Sequence, residues 1–251
     1  MSDIKAVLFD MDNTLMDFVY AQVGACRAVA ALLGRGNGLD LLDLFIRSHG
    51  EYESYSVIAD YMASIGAYGF DLYFECCEVY DRTKLDLIRP YEGVEPMLRS
   101  LRNMGVKTAL VTNARRVNTA IRLERTRLRE YFDVVVTADD TERVKPDPRH
   151  LEVALSLLKV GPEEALFVGD SIQRDVKAAK RIGIKAAYAH YGDCNFFEVR
   201  DERPDYLLCK PMDLIRVLEG TVGELDLQSG FADALPLLNP ITPDFQTQRR
   251  S

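Results

Sequence analysis

Val7-Leu8-Phe9-Asp10-Met11-Asp12-Asn13-Thr14 is the stretch on which the reading of this chain turns. An apolar run that begins at Ala6 passes directly into two carboxylates one residue apart. A strand this short and this apolar is expected to be buried on both faces, as the central strands of parallel sheets are. Acidic residues at its C-terminal end then lie outside the sheet, where open α/β folds bind ligands. In an extended turn Asp10 and Asp12 can converge, and carboxylates that close repel each other unless a proton or cation lies between them. A hard divalent ion such as Mg2+, which takes one or two carboxylates together with phosphate oxygens, answers that need. An aspartate there is also free to act as a covalent nucleophile. Taken alone, the same Asp-x-Asp is what a solvated loop or a helix cap carries, so the rest of the chain must decide.

The chain has 251 residues, 47% of them hydrophobic, enough for one large domain or a core with a smaller insert. A formal net charge of -8 argues against nucleic acid and anionic membrane as partners. Met1 to Lys5 is charged and leads straight into the first strand, which reads as no secretory signal. No apolar run reaches the ~20 residues that span a bilayer, so a cytoplasmic protein with no membrane partner is expected. The cysteines, Cys26, Cys76, Cys77, Cys194 and Cys209, are odd in number, with one vicinal pair. That suits neither a disulfide framework nor a zinc site, and reduced thiols, buried or half-buried, are expected.

Outward from Thr14 the pattern turns helical. Helices are expected at 18–33, ending on the glycine-rich turn Gly34-Arg35-Gly36-Asn37-Gly38, then at 39–48, 54–64 and 71–87. Residues 17–88 thus read as a small helical unit inserted after the first strand. Its aromatic residues, Tyr52, Tyr55, Tyr61, Tyr68, Phe70, Tyr73, Phe74 and Tyr80, are expected mainly in a helix-bundle core, with a minority able to line a pocket facing the catalytic strand. Beyond Pro90 to Gly93 the order alternates. Helices are expected at 94–103, 115–130, 148–159, 175–182 and 212–218, and strands at 107–111, 134–137, 165–168, 185–188 and 206–208. Such alternation predicts right-handed βαβ units, and so an α/β, doubly wound parallel sheet. The organisation expected is a Rossmann-like core over 1–16 and 89–219, the helical insert over 17–88, and a C-terminal extension over 220–251. That extension holds Pro236, Pro240 and Pro243 beside Phe231, Leu235, Leu237, Leu238, Ile241 and Phe245. It is too apolar for a freely solvated tail, and packing on the core or a second copy of the chain is expected.

Three later strands end in residues suited to phosphate. Thr112 and Asn113 follow Ala109-Leu110-Val111, offering a hydroxyl and backbone N–H groups. Lys145 lies between a strand and a helix, and Pro146 keeps it out of helical geometry. Its ammonium could neutralise Asp10 and a phosphoryl group together. Gly169-Asp170-Ser171 permits close backbone approach, and Asp170 can ligate a cation held by Asp10 and the Asp12 carbonyl, with Asp175 five positions on. Each feature alone is an ordinary cap, surface lysine or turn aspartate. Their joint placement after successive strands, at one edge of the sheet, points to a site.

In these four motifs, Asp10-Met11-Asp12-Asn13-Thr14, Val111-Thr112-Asn113, Lys145-Pro146 and Gly169-Asp170-Ser171 with Asp175, the chain resembles the haloacid dehalogenase-like hydrolase superfamily. The insert after the first motif and the stretch Pro90-Tyr91-Glu92-Gly93-Val94 resemble the cap of its phosphoglycolate phosphatase and dehalogenase branch. The resemblance implies that Asp10 is the nucleophile that forms an aspartyl-phosphate and Asp12 the general acid and base. It implies that Thr112 and the Asn113 amide hold the phosphoryl group and that Lys145 neutralises charge. It implies Mg2+ on Asp10, Asp12 and Asp170, supported by Asp175. The expected activity is Mg2+-dependent hydrolysis of a small phosphorylated metabolite by a monomer or homodimer. A β-phosphoglucomutase-like mutase is the alternative, and behind it a 2-haloacid dehalogenase or a non-catalytic binding protein. A dehalogenase lacks an acid two residues after its nucleophile, whereas this chain has Asp12.

Overall fold

The computed structural model describes residues 4–48, 54–194 and 202–221. It divides into two units, Asp17–Arg89 and the remainder, Met1–Met16 with Pro90–Ser251.

The smaller unit is helical: α1 Phe18–Leu33, α2 Gly38–Arg47, α3 Ser56–Ser64 and α4 Phe70–Leu87. Local signals set these ends. The Asp17 side chain accepts the Tyr20 N–H at 3.1 Å to start α1, and Gly34, at φ 62°, ends it in the left-handed region that glycine enters without strain. Asn37 caps α2 through the Leu39 N–H at 2.9 Å. The chain leaves beside its point of entry, where the Asp17 N–H donates to the Arg89 carbonyl at 3.0 Å. Helices α1 and α4 pack closely enough that a Cβ on Gly24 would sit 2.1 Å from Leu87.

The expected aromatic core is only partly present. Tyr61 and Tyr80 are fully buried, with Tyr80 stacked on Phe45 at 5.1 Å and accepting from the Gln22 amide. Tyr55, Tyr68, Phe70 and Phe74 are exposed, Phe70 by 70%. They lie at the N-terminal ends of α3 and α4, and Tyr68, Tyr73, Phe74 and Phe70 pack on one another in tilted and T-shaped contacts. Tyr52 lies outside the described residues.

The larger unit is a six-stranded parallel sheet in the order β3-β2-β1-β4-β5-β6. Its strands are β1 Ala6–Phe9, β2 Lys107–Val111, β3 Val134–Val136, β4 Ala165–Gly169, β5 Lys185–Ala189 and β6 Tyr206–Leu208. Between them run α5 Val94–Asn103, α6 Arg116–Thr126, α7 Arg149–Leu158, α8 Lys177–Arg181 and, after β6, α9 Asp213–Leu218. Every β1 side chain is buried, each stabilising by about 1.5–3 kcal/mol for Val, Leu or Phe. β1 pairs with β2 on one side and β4 on the other, with Leu8 level with both Ala109 and Phe167. This is the doubly wound order, in which the chain turns to opposite sides of β1. A crevice therefore opens at the C-terminal ends of β1, β2 and β4.

Three expectations need correction. The helix expected over 115–130 stops at Thr126, because Arg127 turns left-handed at φ 58° and the Leu128 N–H caps the Leu123 carbonyl at 3.0 Å. The helix expected over 175–182 is preceded by a π-turn, Ile172–Val176, which wraps around the Ser171 carbonyl. All the cysteines are free thiols, yet Cys209 is exposed rather than buried, since its N–H faces inward to Asp213. The C-terminal extension from residue 222 on lies outside the described residues. No helix among the described residues is long and apolar enough to cross a membrane.

Candidate active site

The sheet delivers the expected residues to one place. Asp10 continues the β1–β4 ladder by one bond, its N–H donating to the Val168 carbonyl at 2.9 Å. Its carboxylate meets Lys145, whose Nζ donates to Asp10 Oδ1 at 2.6 Å and to Asp175 Oδ1 at 2.7 Å. All three side chains are buried. Carboxylate oxygens of Asp10, Asp170 and Asp175 lie within 4.8 Å of one another.

Each of these groups is held by others. The Asn113 side chain grips the Lys145 backbone in both directions, donating from Nδ2 to its carbonyl and accepting its N–H at Oδ1, each at 3.0 Å. Lys145 Nζ also lies 5.2 Å from the centre of the Phe167 ring, a cation–π contact. Asp175 Oδ2 accepts the Ser171 N–H at 3.1 Å, so both its oxygens are engaged by the protein. The π-turn brings Asp175 back onto β4, where a Cβ on Gly169 would fall 2.4 Å from the Asp175 Cβ. Glycine is therefore required there. Asp170 Oδ1 accepts the Thr14 hydroxyl at 3.3 Å, and the Thr14 carbonyl accepts the Tyr191 hydroxyl at 2.7 Å. Beside it, a Cβ on Gly192 would lie 1.6 Å from the Asn13 carbonyl oxygen. The turn after β5 thus locks the loop that carries Asp10 and Asp12.

The electrostatics follow from burial. Burial pushes the Asp10 carboxyl above its ordinary range, Lys145 opposes this, and Asp175 adds to it. Burial alone would lower the Lys145 ammonium, but Asp10 and Asp175 together hold it above the usual lysine value. His150, fully buried on α7, is pushed down to about 4, by burial first and Lys145 second.

The carboxylate group fits a hard divalent cation. Its donors are all oxygens, buried and convergent, and no histidine or cysteine belongs to it among the described residues. The Asp12 carboxylate stands outside that group. Its Oδ2 pairs with Arg122 Nη1 at 2.5 Å. Thr112 is buried, and its hydroxyl accepts the Ala114 N–H at 3.1 Å. The Asn113 side chain goes to Lys145, which leaves its main chain as the part of it expected at phosphate.

The sequence reading missed Arg122. Helix α6 is densely charged, and nothing in that run marks one arginine over another. Thr119, Arg122 and Leu123 are its buried residues, however, at a helical spacing. A period of 3.6 laid on Leu123 would have singled out a guanidinium on the inward stripe.

A doubly wound α/β sheet with an aspartate–lysine centre at its switch point defines the class. The chain belongs to the haloacid dehalogenase-like hydrolases, whose sequence model matches residues 7–189. The pyrophosphatase PpaX of Bacillus cereus (strain B4264) is 38% identical to it over 133 residues, 53% of this chain and 61% of that protein. The chain therefore spans less than two thirds of that relative's length. A Thermotoga maritima structure assigned as a beta-phosphoglucomutase is 26% identical, with TM-score 0.73, over 87% of this chain and 100% of that one. The 2-haloacid dehalogenase of Pseudomonas syringae pv. Tomato DC3000 is 25% identical, with TM-score 0.62, over 87% of this chain and 100% of that one. Three reaction names on one architecture mean that the fold does not choose the chemistry.

Proposed function

We propose that this protein is a metal-dependent phosphatase acting on a small phosphorylated metabolite through a covalent aspartyl-phosphate. The observation that carries the reading is an ion-paired, buried Asp10 at the end of β1, with a second carboxylate, Asp12, two residues on and outside the cation-binding group. Asp10 attacks phosphorus as the bond to the leaving oxygen breaks. Asp12 gives its proton to that oxygen, then takes one from the water that attacks the aspartyl-phosphate, which releases phosphate and regenerates Asp10. Lys145 stays on Asp10 throughout and offsets charge on the transferring group. Thr112 and the main chain at Asn113 receive the phosphoryl oxygens. Asp10 and Asp170 would hold Mg2+, which supplies charge neutralisation at the phosphoryl oxygens. Asp175, with both oxygens already engaged, positions Lys145 and the Ser171 turn rather than serving as a primary ligand. The inserted unit Asp17–Arg89, placed in sequence between the first two motifs, is assigned to substrate selection.

Asp12 favours a phosphatase over a dehalogenase. A halide leaves as a stable anion and needs no proton, whereas an alkoxide does. The mutase reading is supported by the Thermotoga relative, and product analysis separates it. The test is a panel of phosphorylated metabolites, with inorganic pyrophosphate included, assayed with Mg2+ for phosphate release. 2-Haloacids are assayed alongside for halide. Phosphate from at least one ester or anhydride, and no halide, is expected. Halide release, or transfer between sugar hydroxyls without phosphate release, would refute the reading.

A further inference from the structure

We propose that Arg122 is a positioning residue that holds the Asp12 carboxylate in place for proton transfer to and from the reacting oxygens. The proposal rests on the acid–base role given to Asp12 above. Arg122 is among the largest fully buried side chains of the protein, 1% exposed, on the inward stripe of a helix whose other arginines face solvent or the surface acids Asp139 and Asp140. Burying a guanidinium is costly, and a buried ion pair is a weak device for stability alone. This one ties α6 to the catalytic loop. Asp12 follows Met11, whose carbonyl takes the Leu15 N–H at 2.9 Å, and precedes Asn13, which is left-handed at φ 60°. Its backbone is therefore fixed, and the side-chain torsions remain to be set. The Arg122 contact at 2.5 Å, from a side chain itself packed on all sides, sets them. Helix α6 starts just after Thr112-Asn113-Ala114, so the same element that follows the expected phosphate-binding turn also orients the proton-transfer group.

The test is a double-mutant cycle with Arg122→Gln and Asp12→Asn, read as kcat/KM on an alkyl phosphate that the wild type turns over and on p-nitrophenyl phosphate. Misplacing a proton-transfer group is expected to slow the alkyl ester by about 10²-fold. The aryl ester, whose leaving oxygen needs little protonation, should lose less than about 5-fold. Since Arg122 acts through Asp12, adding Arg122→Gln to Asp12→Asn should change alkyl turnover by no more than about 3-fold. Losses that multiply in the double variant, or that are equal for both leaving groups, overturn the positioning role. So does a rise in KM at constant kcat, which would mean that Arg122 binds substrate directly. If Asp12→Asn alone retains full alkyl turnover, the acid–base reading fails and the positioning role with it. If Asp12→Asn is slow while Arg122→Gln is unaffected, the positioning role alone fails. Should Arg122→Gln not fold, Arg122→Lys keeps the buried charge without the planar guanidinium. It is expected to lose about 10-fold on the alkyl ester with the same sparing of the aryl ester, and equal losses on both would refute the proposal.

Discussion

Replacing Lys145 by Met tests whether the centre is held by charge or merely by packing. The side chain is kept as far as Cε, but the ammonium and its two contacts vanish, at 2.6 Å to Asp10 and 2.7 Å to Asp175. Either pair alone corresponds to roughly 6 kcal/mol of Coulomb attraction at an effective dielectric near 20. The wild type spends part of that on desolvating the ammonium, the strongest influence lowering the Lys145 pKa. The net cost expected for stripping one partner from a buried pair is about 3–5 kcal/mol. At this chain length that is a fall in melting temperature of about 6–20 °C. The sign with pH is opposite to ordinary acid denaturation. Without Lys145 the buried Asp10, whose pKa is already raised by burial and by Asp175, would take a proton more readily still. The penalty is therefore full at high pH and shrinks as pH falls and the carboxyl becomes neutral. Excess Mg2+ should also recover part of the lost stability, because the carboxylates gain a cation that the unfolded chain does not bind. Phosphate release should fall by about 10²–10³-fold. Melting curves from pH 5 to 9, with EDTA or Mg2+, decide it. A wild-type melting temperature at pH 8 with EDTA, or a loss that grows toward acid, would refute the electrostatic account.

Further outcomes follow from the same geometry. Asp10→Asn should abolish phosphate release with no loss of fold, since the amide is near-isosteric and a poor nucleophile, and near-normal turnover would remove Asp10 as the attacking group. EDTA should abolish phosphate release reversibly, with Mg2+ restoring it, and full activity of stripped protein in excess chelator would count against metal dependence. His150 has a folded pKa of about 4 against an unfolded value near 6.5, so the unfolded chain binds the extra proton and stability declines as pH drops through that window, by about 3 kcal/mol at its lower end. His150→Leu should flatten this acid limb in urea titrations at pH 4–7 without losing a hydrogen bond, because neither ring nitrogen makes one, and an unchanged limb would place the pH dependence elsewhere.

Much of this centre was legible because its parts lie at strand ends. A run such as Ala6–Phe9 can only be a doubly covered strand, and the polar residue that ends such a strand has one place to be. Asp10, Thr112 and Asp170 are fixed by that rule, which needs only local pattern and the handedness of βαβ units, whereas Lys145 lies in the long loop between β3 and α7 and was marked by Pro146 instead. What was illegible depends on side chains reaching across elements. Arg122 is 110 residues from Asp12 and belongs to a helix whose charges look alike one by one. The Asn113 amide closes on a main chain 32 residues away, a pairing that local pattern does not encode. The exposed rings of Phe70 and Phe74 failed the helix-bundle expectation for a different reason. Apolar type sets the tendency to bury, but which rings find cover depends on the neighbouring helices, and these rings stay exposed with mainly one another as aromatic partners.

On the proposed mechanism, the surroundings of Asp10 and Asp12 suit the two different tasks given to them. Asp10 and Asp175 share one ammonium, and Asp170, set among the same oxygens, lies 3.9 Å from the Arg174 guanidinium. Three buried carboxylates whose oxygens converge are a donor set suited to a divalent cation, and a cation held there would favour a phosphate dianion beside it. Asp12 is balanced separately, by Arg122, and its side chain is 23% exposed where the other carboxylates are almost closed off. A carboxylate meant to exchange protons with a leaving group and then with water needs that access, and one meant to attack phosphorus or hold a cation needs the opposite. Two residues of spacing suffice to produce the difference, because Asp10 still belongs to the β-ladder and Asp12 sits beyond it, in the loop that the left-handed Asn13 turns away from the sheet.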